Sequence, residues 1–102
     1  MITRIVKMTI RSDEQLRFAE LFENHRHRIS TMPGCHGLRL LTDTDKSGIF
    51  FTISSWQSDL HLEQYRNSDV FKSLWPQVKV LFNAPAEAWS LDEITTQQET
   101  EI

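Results

Sequence analysis

The stretch IFFTISSWQSDLHLEQYRNSDVFKSLW, residues 49–75, decides the fold. Its first part, residues 49–56, is β-branched and aromatic with a period of two. Ile49, Phe51 and Ile53 fall on one face and Phe50, Thr52, Ser54 and Trp56 on the other, which is the signature of a strand. The second face is less greasy than a plain core and less polar than an open surface, so it suits a pocket wall. Ser58-Asp59 then offers a helix N-cap, predicting a short helix to about Arg66. Asn67-Ser68-Asp69 offers another, opening a second helix at VFKSLW. Pro76 is expected to kink or restart that helix, because an interior proline costs about 3 kcal/mol. Val78, Leu81 and Phe82 extend its apolar stripe.

Upstream, residues 36–42 (HGLRLLT) read as a strand joined to 49–56 by a polar hairpin loop, Asp43 to Gly48. Pro33-Gly34 ends a preceding helix whose apolar positions are Phe18, Phe22, Ile29 and Met32. Its start is expected at Ser12, as N-cap, with Gln15 at the capping-box position. Residues 2–10 (ITRIVKMTI) form the first strand. Ile2, Val6, Met8 and Ile10 point one way and Thr3, Ile5, Lys7 and Thr9 the other, with Arg4 breaking the apolar phase near the strand's start.

Downstream, residues 86–92 form a last strand, with Ala86, Ala88 and Ser90 opposed to Glu87, Trp89 and Leu91. The order β-α-β-β-α-β predicts an α+β, ferredoxin-like domain over residues 1–93, an antiparallel sheet with helices on one face, and a polar tail over 94–102. The other face of such a sheet must be polar or covered. Phe50, Trp89, Leu41 and Ile5 are expected on it, and burying them against a second subunit would supply several kcal/mol at about 25 cal/mol per Å². A homodimer with two sheets face to face, a dimeric α/β barrel, is the expected assembly.

Bulk composition agrees with one small domain. The 102 residues carry 11 basic and 14 acidic side chains, a net charge of −3, which argues against nucleic acid or an anionic membrane as partner. No apolar run approaches a membrane span, the N-terminus lacks the order of a signal peptide, and the single cysteine, Cys35, makes no intrachain disulfide. A cytoplasmic protein is expected. The four histidines show no metal-ligand spacing, and three glycines leave no nucleotide-binding loop.

The opening ITRIVKMTIR, the MPGC before the second strand and the block FFTISSWQSDLHLEQYRNSDVFKSLW together resemble the antibiotic biosynthesis monooxygenase family, across roughly residues 1–93. The resemblance implies the dimeric barrel. It also implies oxidation of a quinol or small polyphenolic aromatic by O₂ with no cofactor, neither metal nor flavin. The substrate's phenolate would reduce oxygen, and the protein would supply an apolar cavity and a group that stabilises the anion. The family position most often held by His, two residues before Ser68, is Arg66 here. Arginine stays protonated and is a poor proton shuttle, which speaks against acid–base chemistry at this position.

On this reading the candidate catalytic residues are Trp56, Tyr65 and Arg66, and the candidate substrate-binding residues are Lys7, Phe50, Thr52, Phe71 and Trp75. Trp56 is either a wall stacked on the substrate or a packing residue. Arg66 either pairs with a phenolate or carboxylate or is a solvated helix-end cation. Phe71 and Trp75 read first as a helical core stripe. Lys7 and Thr52 are expected to face the cavity. A haem-degrading relative of the same fold would need a His near Trp75 and an Asn on the first strand, and the first Asn here is Asn24. A sugar mutarotase of the same barrel type and a non-catalytic small-molecule binder share the fold and remain as alternatives.

Overall fold

The computed structural model describes residues 1–94. Strands β1 (Ile2–Thr9), β2 (Cys35–Thr42), β3 (Ile49–Trp56) and β4 (Glu87–Asp92) form one antiparallel sheet in the order β2-β3-β1-β4. Helices α1 (Gln15–Ser30), α2 (Asp59–Arg66) and α3 (Asp69–Lys79) pack on one side of it. This is the ferredoxin-like arrangement, with the second helical element divided into α2 and α3 by the Ser68 cap. Both serine caps form: Ser58 Oγ accepts the His61 N–H at 3.3 Å and Ser68 Oγ accepts the Phe71 N–H at 3.2 Å. The polar tail expected from residue 94 lies, from 95 onward, outside the described residues.

Register sets the two faces. Rows across the sheet run Leu38–Ser54–Arg4–Ser90 and Leu40–Thr52–Val6–Ala88 on the helix side. On the bare side they run Arg39–Ile53–Ile5–Trp89 and Leu41–Phe51–Lys7–Glu87. The core lies between the helix-side rows and the helices, around Met8, Ile10, Phe18, Ile29, Phe50, Leu74, Val78 and Leu81. The helices therefore cover the even-numbered residues of β1 and β3. Phe50, expected on the bare face, is buried against Phe18 with ring centroids 4.7 Å apart. It pairs with Met8, and the two share the covered side. Lys7 is likewise misplaced by the sequence reading: it pairs with Phe51 on the bare side and meets Glu87 at 3.5 Å.

Two further expectations fail for local reasons. Ser12 caps nothing, because Ser12–Glu14 forms a 3₁₀ turn ahead of α1 and neither start has a side-chain cap. The Arg11 N–H bonds the Leu81 carbonyl at 2.9 Å, and that tether sets the entry to the turn. Pro76 does not divide α3, which runs through it. The acceptor a residue at 76 would have served is the Lys72 carbonyl, and both positions are exposed, so water can take the proline's place. The next carbonyl, of Ser73, accepts from Gln77 Nε2 at 2.8 Å. The turn at Pro33-Gly34 holds as expected. Gly34 has φ +82°, and a Cβ there would overlap the His61 ring, so only glycine fits.

Candidate functional site

A cavity of about 310 Å³ opens between the sheet and the helices. Its floor is the helix side of the sheet, where strand alternation and register converge Arg4, Val6, Met8, Thr52 and Ser54. Ala86 and Ala88, small residues at the start of β4, leave room beside Val6. The α2–α3 pair supplies the roof through Tyr65, Arg66, Phe71, Leu74 and Trp75, and α1 closes the far wall with Phe18, Phe22 and Ile29.

The roof is an unbroken aromatic series. Trp56 and Tyr65 stack at 4.9 Å and 19°, Tyr65 meets Phe71 edge-on at 5.3 Å, and Phe71 stacks on Trp75 at 5.7 Å. Trp56 itself does not reach the cavity. It is 0 % exposed, with Tyr65 over its ring and its indole N–H donated to Ser54 Oγ at 2.9 Å. The physical reason is the short link to α2, which brings that helix back over the end of β3 and lays Tyr65 where a substrate ring was expected. Trp56 supports the wall from behind.

Five of the residues singled out from sequence thus meet at the cavity: Thr52, Tyr65, Arg66, Phe71 and Trp75. Trp56 and Phe50 are packed behind it, and Lys7 lies on the opposite face. The residue that sequence reasoning passed over is Arg4, read only as a break near solvent. A signal was present, since Arg4 shares its parity with Ile2, Val6, Met8 and Ile10, and a cation in the apolar phase of a strand marks either a strand end or a polar site.

The polar groups sit at one end. Arg4 donates from Nη1 to Ser90 Oγ at 2.9 Å, and among the described residues no carboxylate lies within ion-pair distance of it. Burial, and then the nearby Arg66 guanidinium, lower the pKa of Arg4. Arg66, also on the lining, has among the described residues one ion pair, with Glu63 at 3.7 Å. Burial, with a smaller contribution from the Cys35 side, pushes the Tyr65 hydroxyl up to about 12. That hydroxyl therefore stays protonated at neutral pH and can donate a hydrogen bond. Chemically, the arrangement offers an aromatic slot that Tyr65 lines as a neutral phenol, with two cations, Arg4 and Arg66, among its lining residues.

A family model described as antibiotic biosynthesis monooxygenase matches residues 1–74. The chain is similar in structure to an antibiotic biosynthesis monooxygenase at 18% identity, covering 93% of this chain and 100% of that one, with a TM-score of 0.87. It is similar to a conserved protein from Methanosarcina mazei Go1 at 18% identity, covering 92% and 94%, with a TM-score of 0.86. A variant of SnoaB, a cofactor-independent oxygenase from Streptomyces nogalater, is 17% identical, with coverage of 96% and 97% and a TM-score of 0.82. At these identities the likeness is one of fold. No curated protein matches.

Proposed function

The chain belongs to the antibiotic biosynthesis monooxygenase family, and on that premise we propose that it oxidises a small electron-rich aromatic, a quinol or polyphenol, with O₂ and without metal or flavin. The observation that carries this reading is the aromatic-walled cavity with its cations gathered at one end. A ring lies against Phe71 and Trp75 with its oxygen substituent toward Arg66 and the Tyr65 hydroxyl. An opposite charge within about 4–6 Å lowers a phenol's pKa by roughly one to three units, so more of the substrate is phenolate. The phenolate passes an electron to O₂, and the two radicals join in a carbon–oxygen bond. Breakage of the oxygen–oxygen bond then leaves a carbonyl on the ring and releases the other oxygen atom as water. The substrate supplies every electron that O₂ takes up, and the ring protons leave to solvent or with that water.

Oxygen uptake with a panel of hydroquinones should exceed protein-free autoxidation in metal-free buffer. Arg66→Gln should lower turnover by about tenfold and move the pH optimum upward, because the phenol loses the charge that favours its ionised form. A wild-type rate equal to autoxidation across the panel would falsify the activity.

The working unit in this reading is a homodimer. The bare sheet face presents Ile5, Phe51, Ile53 and Leu41 beside Trp89 and Leu91, which are 42 % and 45 % exposed in the single chain. Packing that face on a second copy removes the apolar surface from water. Light scattering at micromolar concentration should give about twice the 12.0 kDa chain mass.

A further inference from the structure

We propose that Arg4 and Arg66 together form an anion-recognising end of the cavity, and that its ligand is an aromatic carboxylic acid; this rests on reading the cavity as the substrate site.

The floor of the cavity has a direction. The row Leu38–Ser54–Arg4–Ser90 is polar, the next row holds Thr52, Val6 and Ala88, and beyond them lie Met8, Phe18 and Ile29. A ligand that satisfies both ends carries its ring in the apolar part and an acceptor group at the Arg4 row. Among the described residues the only charged side chains on the lining are the two arginines, one from β1 and one from the end of α2. Two like charges facing one space repel, and a bound anion relieves that repulsion. Burial first, and Arg66 second, lower the pKa of Arg4.

A carboxylate answers this better than a phenol alone. An ordinary phenol ionises near 10 and enters neutral at pH 7, whereas a carboxylic acid ionises near 4 and enters already charged. A guanidinium fork also matches two oxygens. Arg4 spends Nη1 on Ser90, which leaves its other nitrogens for the ligand. Arg4 is thereby a specificity-determining residue, selecting aromatic acids over neutral rings of equal size.

The test is calorimetric titration of the purified protein with 2-naphthoate and with 2-naphthalenemethanol, which share a ring system and differ in charge. Wild type should bind the acid at least about tenfold more tightly, the factor one charge-assisted hydrogen bond supplies, and the preference should shrink as salt is raised. Arg4→Gln should bring the preference below about threefold by weakening the acid more than the alcohol. Arg4→Lys, which keeps the charge and loses the fork, should retain part of it and carries the test if Arg4→Gln does not fold. Equal binding of acid and alcohol by wild type, no binding of either, or a full preference surviving in Arg4→Gln overturns the inference. Oxygen uptake enters none of these measurements. An acid-selective cavity in a protein that consumes no oxygen sinks the proposed activity alone. Oxygen consumption with equal binding of the two probes sinks this inference alone.

Discussion

The two faces of the sheet are cut from the same strands, and neighbouring residues meet opposite fates. On the covered side Met8 and Phe50 are buried, Arg4 looks into a cavity and Thr52 forms part of its floor. One residue away, Ile5, Lys7, Phe51 and Ile53 carry no helix over them. Arg4 and Lys7 make the contrast sharpest. Both are cations on β1, yet Arg4 shares a cavity lining with a second cation, Arg66, while Lys7 meets the carboxylate of Glu87. The lesson is that a charge on a strand acquires its meaning from what lies over its face.

The largest test of that contrast is Phe18→Ala. Phe18 is 1 % exposed and packs on Phe50, so truncation leaves a hole under α1 and should cost about 3–5 kcal/mol in urea denaturation. A cost under about 1 kcal/mol would mean the covered face is not the core.

Tyr65 gives the next effect and a clean readout, being the chain's single tyrosine. Its pKa is raised to about 12, against about 10 in an unfolded chain, so the folded state keeps the proton longer. The stabilisation is therefore whole below about pH 10 and is lost as pH rises from there through the folded value, on the order of 2–3 kcal/mol. Phenolate absorbance followed against pH should show ionisation well above 10 in the folded protein. A midpoint near 10 would place the hydroxyl in open water.

The bare face is tested by Trp89→Glu. A charge amid that apolar surface should weaken self-association by at least about tenfold, or about 1.4 kcal/mol, and shift the mass toward the monomer. Thermal stability of the monomer should hardly change, since Trp89 is 42 % exposed. The smallest effect belongs to Lys7→Gln. An exposed ion pair contributes little, so stability should move by less than about 0.5 kcal/mol. The preference for naphthoate should stay at the wild-type level, and its loss would show that the bare-face cation reaches the ligand after all.

Much of this was legible in the order of residues. The boundaries of β3, the Ser58 and Ser68 caps, the stop at Pro33-Gly34 and the alternation of β4 follow from side-chain periodicity and local hydrogen bonding, which act over a few residues. Ser12 and Pro76 show where local rules yield. A tether from Arg11 to Leu81, distant in sequence, shapes the start before α1, and exposure of Lys72 makes the proline tolerable.

For the site, the sequence put Thr52 on one face of its strand and Tyr65, Arg66, Phe71 and Trp75 on the helices that follow, but the same reading also gathered Trp56, Phe50 and Lys7 with them. Only the tertiary structure decided which side is inward. Alternation divides a strand into two sets but does not label them, and the label comes from where the helices pack: on the larger apolar set of β1, yet on the less apolar set of β3. That packing buried Phe50, turned Lys7 away, slid Tyr65 over Trp56, and brought Arg4 on the first strand beside Arg66, sixty-two positions further along the chain. Cross-strand register and helix return act between residues far apart in sequence, and no local pattern encodes them.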